Sequence, residues 1–444
     1  MQITIYRGTH EIGGTLVELK SGKSRLLLDA GYPLFLKNQP IGDEVSSYSY
    51  DKLLEIGVLP DIKGLYGWDA PAFDAVIISH AHIDHYGLLS YIHPAIPAYI
   101  SKGTRKIIDI SALFLQSAQL PAKAFEFDMY KPFQVGDFRV MPFLMDHSAF
   151  DSAAFEISDR KKTIIYTGDF RGHGRKPVCL GRFIDKAKKG VDALLIEGTM
   201  FGRQDEEVIT EQELEDRLVK KIQDFKGPVL FQSSSQNIDR IVSFYRAAIR
   251  LDKIFVVDVY TANVLYELRQ LETNNLPYPS TDYPNIKVFY PYRLTQKIFS
   301  KIGVEYAKRF SPFRILRGKL KAVRNNIIMA VRPSMRMDIE KAELHNGLFI
   351  YSMWCGYRAS DYQKKFEAYL KQAGFDENEC HTSGHATVSD IRRVITELKP
   401  KLIIPIHTMA PDLFIGISEY YISISMNDKL IPNPTLERRN RHRC

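Results

Sequence analysis

Cysteine is scarce in this chain. The four in 444 residues, Cys179, Cys355, Cys380 and Cys444, are scattered with no Cys-x-x-Cys pair. That argues against a disulfide framework and a thiolate zinc site, and reduced thiols with no chemical task are expected. Long apolar runs are missing too. No stretch of eighteen uninterrupted apolar residues occurs, so no membrane partner is expected. The first residues, MQITIYRGTHEIGG, read as strand and turn without the apolar core of a secretory signal, and a cytoplasmic protein is expected. Internal repeats and low-complexity tracts are absent. Histidine is rare, 12 in all, which gives weight to any place where several crowd together.

What is present is ordinary globular material, 45% hydrophobic and 25% charged. The length exceeds that of one common compact domain. A net charge of +8 is compatible with an anionic polymer as partner. The basic tail ERRNRHRC reads as a solvated terminus, with phosphate binding the lesser alternative. Aromatic residues, 11% of the chain, are read first as core and second as base-stacking platforms.

The runs QITIYRG, TLVEL, RLLLDAG, DAVIIS, FRVMPFLMD, AAFEIS, KTIIYTGD and VDALLIEG read as strands, with YDKLLEIG and TRKIIDISALFLQSA as helices. From about residue 203, EQELEDRLVKKIQDF, GPVLFQ, NIDRIVSFYRAAI, KIFVVD and ANVLYELRQLE alternate helix and strand, as a parallel βαβ unit does. LFIYSM, DYQKKFEAYLKQA, VSDIRRVITEL and KLIIPI follow. The expected organisation is therefore a first domain over 1–202, an insertion over 203–345, and a return segment over 346–444.

The strongest chemical signal is Ser79-His80-Ala81-His82-Ile83-Asp84-His85, four ligand-type side chains directly after an apolar strand. Imidazole and carboxylate suit zinc, and the grouping suits two ions side by side better than one. This His-x-His-x-Asp-His pattern resembles the signature of the metallo-β-lactamase superfamily. The remaining marks of that superfamily occur in order, each after a strand-like run: Asp29 in RLLLDAG, His147 in FLMDHS, Asp169 in IIYTGD and His407 in LIIPIHT.

The resemblance implies an αββα sandwich interrupted by a parallel α/β domain. It implies a two-ion site, zinc with manganese as the alternative. His80, His82 and His147 would hold one ion, and Asp84, His85 and His407 the other. Asp169 would bridge them, and Asp84 and Asp169 would share in catalysis. Asp29 and Asp146 are candidates to orient the histidines.

Glu197 in LIEGT, His385 in HTSGHA and the insertion extend the resemblance to the β-CASP branch, which processes nucleic acid. HIDHYG, DHSAFDSAAFEI, YTGDFR and IPIHT point within it to ribonuclease J. By that resemblance His385 is the general acid and Glu197 its partner. Departures exist: MWCGYRAS stands where that group has a Pro-Gly-containing segment, and Thr408 stands where it usually has glycine. Ser383 and Gly384, before an expected helix, and Ser233, Ser234 and Ser235, before another, are candidate phosphate contacts, with plain helix capping nearly as good a reading. The other histidines are read as structural or surface residues. The expected substrate is RNA, with single-stranded DNA and a homo-oligomer left open. The competing readings are a hydrolase of a small thioester or lactam and a non-catalytic nucleic-acid-binding subunit.

Overall fold

The computed structural model describes the chain except residues 37, 38, 43, 44, 46, 204–206, 272, 273, 417–428 and 431–444. The basic tail and the role weighed for it lie outside the described residues.

Two sheets stack face to face. The first runs in the order Lys429–Leu430, Gln2–Arg7, Leu16–Ser21, Ser24–Leu28, Ala75–Ile77, Ala98–Ser101, Ala124–Phe127. The second runs Ile403–Ile406, Ala193–Glu197, Thr163–Tyr166, Ala153–Ser158, Phe138–Leu144, Phe133–Val135. Ala75–Ile77 is a short apolar run because parallel neighbours flank it on both sides, Ser24–Leu28 and Ala98–Ser101. Ile3, Val17, Leu26, Phe155, Ile164 and Ile404 form the layer between the sheets. The far face of the second sheet packs on helices Val178–Lys186 and Val388–Leu398 through Phe183, Leu180, Ile391 and Val394. Helix Lys102–Leu115 covers the first sheet through Ile107, Ile108 and Phe114. This is the expected αββα sandwich.

A third sheet, wholly parallel, runs Ile286–Phe289, Ile254–Asp258, Ile327–Ala330, Val229–Gln232, Leu348–Tyr351, Asp376–Glu379. It corrects the boundary drawn at 345. Leu348–Tyr351 pairs along its length with Val229–Gln232, and Asp376–Glu379 pairs with Leu348–Tyr351. The chain rejoins the second sheet only at Ile403–Ile406, which pairs with Ala193–Glu197. The apolar run LFIY could not announce which sheet it would join.

Cys179 and Cys380 are buried and Cys355 is exposed, all three free, as expected. No described helix is long and apolar enough to cross a membrane.

Phe155 is fully buried between the two sheets, edge-on to Phe127 at 5.5 Å. Phe155→Ala is expected to cost about 3–5 kcal/mol. A lowered thermal midpoint in calorimetry checks this, and an unchanged midpoint would contradict the packing described.

Candidate metal centre

The site gathers at one end of the sandwich, on loops that leave strand ends. His80 and His82 follow Ala75–Ile77, and Asp84 and His85 lie in the single helical turn Ile83–Tyr86. His147 follows Phe138–Leu144, Asp169 follows Thr163–Tyr166, and His407 follows Ile403–Ile406. Gly168 turns the backbone at φ +53, and a Cβ there would lie 2.9 Å from that of Ser79, so only glycine lets the Asp169 loop approach the histidine loop this closely. Asp29 and His407 adopt left-handed backbone at φ 57 and φ 50, local strain of the kind that collects at functional sites.

Four of the histidines are oriented by the same device. Ser79 Oγ donates to Asp29 Oδ2 at 2.7 Å, so it accepts from His80 Nδ1 at 3.0 Å. His85 Nδ1 donates to Asp29 Oδ2 at 2.7 Å. His147 Nδ1 donates to the carbonyl of Gly384 at 2.5 Å. His407 Nδ1 donates to Thr199 Oγ1 at 2.8 Å, whose own hydroxyl is spent on the His407 carbonyl. With each Nδ1–H pinned, each Nε2 faces inward; burial opposes a second proton on His85, but the Asp169, Asp29 and Asp84 carboxylates outweigh it and hold that imidazole well above its usual value.

Those nitrogens fall into two sets. His82 Nδ1 lies 3.2 Å from His80 Nε2 and 3.1 Å from His147 Nε2. One proton on His82 cannot satisfy both. Tetrahedral zinc with Zn–N bonds of about 2.0–2.1 Å sets its ligand nitrogens roughly 3.3 Å apart, the spacing of a set like this one. On the other side His407 Nε2 lies 3.1 Å and His85 Nε2 3.9 Å from Asp84 Oδ2. Asp169 Oδ2 stands between the sets, 3.8 Å from His80, 4.0 Å from His147, 3.2 Å from His85 and 3.7 Å from His407. His80, His82 and His147, and separately Asp84, His85 and His407, have the convergence a metal ion requires.

Two atoms at the centre test the fit. Asp169 Oδ2 and His85 Nε2 are buried without a hydrogen-bond partner. They lie 3.2 Å apart and pair only while His85 keeps a second proton; with that proton gone a buried carboxylate among lone pairs costs several kcal/mol, and a divalent cation is its natural complement. Burial pushes His82 down to about 4 and holds His80 and His147 well below the usual range, which keeps the lone pairs free. Burial opposes ionisation of Asp169, yet His407, His85 and His385 hold its carboxyl well below the ordinary value.

Beside this cluster Glu197, fully buried, accepts from the Phe170 amide at 2.9 Å and from His385 Nδ1 at 3.2 Å. Burial would lower His385, but the Glu197 and Asp169 carboxylates outweigh it and hold the imidazole above its usual value. His385 leans towards both ligand sets, its ring 5.3 Å from that of His147 and 5.4 Å from that of His407.

Some expected contacts fall elsewhere. The Asp146 carboxylate accepts from Arg171 Nε and the Lys176 amide, and from no histidine among the described residues. Helix Val388–Leu398 begins after Thr387, whose hydroxyl and Asp390 form a capping box, so Ser383 and Gly384 lie before the cap. The Ser383 hydroxyl accepts from the His385 amide, and the Gly384 carbonyl holds His147. Helix Ile238–Arg250 is capped by Asn237, and Ser235 is buried against Thr261 and Arg332. Ser234 is exposed and accepts from the Gln236 amide, while Ser233 is half-buried with its hydroxyl on the Ser234 carbonyl.

Sequence reasoning missed two fully buried arginines. Arg171 Nη1 donates to the Ser383 carbonyl and Glu211, and its Nη2 donates to Asp239 at 2.6 Å. Arg240 donates to the Thr382 carbonyl, Ser352, His381 and the same Glu211. Burial opposes its charge, but Arg240 and Arg171 hold the Glu211 carboxyl down at about 2. Together they clamp the loop that carries Gly384 and His385. Thr199 was missed as well, although it lies two residues after Glu197. A separate cavity of about 490 Å³ beside His381, lined by Ile209, Trp354 and Cys380, does not include the histidine cluster.

Two family profiles match: the beta-lactamase superfamily domain over residues 65–224, and the Zn-dependent metallo-hydrolase RNA specificity domain over residues 378–412. The chain is similar to ribonuclease J of Helicobacter pylori (strain ATCC 700392 / 26695), 25% identical over 419 residues, covering 92% of this chain and 56% of that protein. Over 200 residues it is 31% identical to ribonuclease J of Sinorhizobium meliloti, 43% of this chain and 34% of the other. A crystal structure of a protein of unknown function from Enterococcus faecalis V583 superposes with a TM-score of 0.75 at 20% identity, covering 97% of this chain and 99% of that one. The chain thus spans about half the length of the H. pylori enzyme.

Asp29 supports two histidines, His85 directly and His80 through Ser79. Asp29→Asn is expected to weaken zinc binding 10–100-fold, read by competition with a chromophoric chelator. Unchanged affinity would contradict that role.

Proposed function

From a chain that is ribonuclease J-like, with a metallo-β-lactamase-superfamily core and a β-CASP insertion, we propose a metal-dependent ribonuclease that hydrolyses RNA phosphodiester bonds. What carries the reading is the convergence of seven side chains, Asp169 at their centre, next to a His385–Glu197 pair whose histidine lies within the segment matched by an RNA specificity profile. His80, His82 and His147 would hold one divalent cation, Asp84, His85 and His407 a second, with Asp169 serving both. Imidazole and carboxylate donors favour zinc, with manganese the alternative. When bound, such a pair supplies Lewis acidity to the phosphate and lowers the pKa of water towards neutrality.

The protein's own groups supply the rest. Hydrolysis forms a bond from a water oxygen to phosphorus and breaks the bond to the leaving sugar oxygen, which needs a proton. His385 Nε2 is the donor in this reading, since Nδ1 is engaged by Glu197. Glu197 fixes the tautomer and stabilises the imidazolium, and its backbone bonds to Phe170 and Ala386 hold it in place. Gly384 joins acid and metal site mechanically, since its carbonyl orients His147 one residue before His385. The clamp of Arg171 and Arg240 keeps that loop in register with Asp169, two residues before Arg171.

The small-substrate reading gains no specific observation. The non-catalytic reading is disfavoured because every donor position is filled.

Cleavage of 5′-phosphorylated RNA, 5′-hydroxyl RNA and single-stranded DNA, followed side by side on gels, tests the proposal. RNA should be cut, and Asp169→Ala should abolish turnover. His385→Gln should lower kcat about 10²–10⁴-fold while metal content is retained. An Asp169→Ala protein as active as wild type would refute the site.

A further inference from the structure

The charge of this protein is concentrated in one place. Residues 291–326 hold ten Lys and Arg and a single acid, Glu305, a net of +9 against +8 for the whole chain. The other 408 residues are therefore close to neutral, and the bias seen in the sequence belongs almost entirely to one segment of the insertion.

Much of that charge is free. Arg293, Lys301, Lys308, Arg317 and Lys319 are exposed, and among the described residues none is engaged in an ion pair. Others are used structurally: Arg309 pairs with Glu267, Lys321 with Glu343, and Lys297 Nζ donates to the Phe114 carbonyl at 2.7 Å. The Lys297 bond ties the segment to the first domain. Large apolar side chains stand among the free cations: Tyr292 is 63% exposed, Phe299 60% and Leu316 58%. Three such groups in one short segment are more than core packing explains. Cations interleaved with open aromatic rings are the chemistry that holds a single nucleic-acid strand, by phosphate attraction and base stacking.

The segment starts at the carboxyl end of the third sheet, the end that approaches the metal site, and runs back to its amino end, where the Asn325 carbonyl accepts from Lys253. All six strands are parallel, so their carboxyl ends face one way. Beyond Gln232 the chain reaches Asn237, which bridges to Ala149, two residues after His147. Beyond Phe289 it enters helix Tyr292–Lys297, whose first amide donates to Asp338 at 3.1 Å. Arg293 and Arg317 both act electrostatically on Asp338. Arg332, beyond Ala330, joins this edge to the loop through Ser235 and Asp258.

We propose that residues 291–326 form a docking surface for single-stranded RNA that extends beyond the metal site, anchored by Arg293, Lys301, Arg317 and Lys319 with Tyr292 and Phe299 as stacking platforms. The proposal rests on the ribonuclease reading. The surface selects for substrate length, not for chemistry at the scissile bond.

The test is the fourfold variant Arg293→Gln, Lys301→Gln, Arg317→Gln and Lys319→Gln, with Tyr292→Ala and Phe299→Ala in a second protein. Binding of a 30-nucleotide single-stranded RNA, read by fluorescence anisotropy in chelator so that no turnover intervenes, should weaken at least about tenfold in the fourfold variant. The slope of log affinity against log salt should fall by roughly 3, since each phosphate contact on a single strand contributes about 0.7. With metal restored, KM for the long RNA should rise with kcat unchanged, while cleavage of a 5-nucleotide RNA stays at the wild-type rate. The aromatic variant should lose affinity without changing the salt slope. Wild-type affinity and slope in the fourfold protein, with an unaltered circular dichroism spectrum, would overturn the proposal. So would cation-dependent binding to phosphatidylserine vesicles with none to RNA. Failure of the wild type to cleave any RNA would instead count against the ribonuclease reading, because the anisotropy measurement does not depend on turnover.

Discussion

A buried carboxylate oxygen, Asp169 Oδ2, among histidines of which four have their Nδ1–H pinned outward, is the constraint around which this protein is arranged. Asp29, Ser79, Thr199 and the Gly384 carbonyl each take an Nδ1–H. What remains inside is a shell of lone pairs and negative charge, with Asp169 Oδ2 and His85 Nε2 unpartnered. Such a shell is costly to bury, and cations inside it would offset that cost. The strain at Asp29 and His407 and the close approach at Gly168 belong to the same arrangement.

The second consequence is division of labour between sheets. The two stacked sheets supply strand ends that aim the ligands. The third sheet, through Glu211, Asp239 and Arg240, supports the loop that carries His385. That loop is therefore gripped from both domains at once. The paired arginines are fully buried, so their charges are tolerable only because carboxylates and carbonyls occupy their donors.

Much of this was legible in the sequence. The His80–His85 cluster is read directly, because four ligand types after an apolar strand leave a local signature; Asp169 and His407 are legible only through the resemblance to the metallo-β-lactamase superfamily. The strands of the sandwich follow from alternation and short apolar runs. What escaped has a common cause: it depends on partners distant in sequence. Asp376–Glu379 is an exposed edge strand reading DENE, and no pattern of hydrophobicity marks it. Thr199 is an ordinary threonine until His407 arrives beside it. Asp146 precedes a ligand yet turns away, because Arg171 offers a charged donor. The serines at 233–235 looked like a helix start, but Asn237 is the better cap in place.

The central claim is that this shell exists to hold two divalent cations. The most direct test is the metal content of the purified, dialysed full chain by inductively coupled plasma mass spectrometry. The account predicts two divalent ions per chain. A chain that holds none, or whose metal content is unaffected by Asp169→Ala, would contradict it.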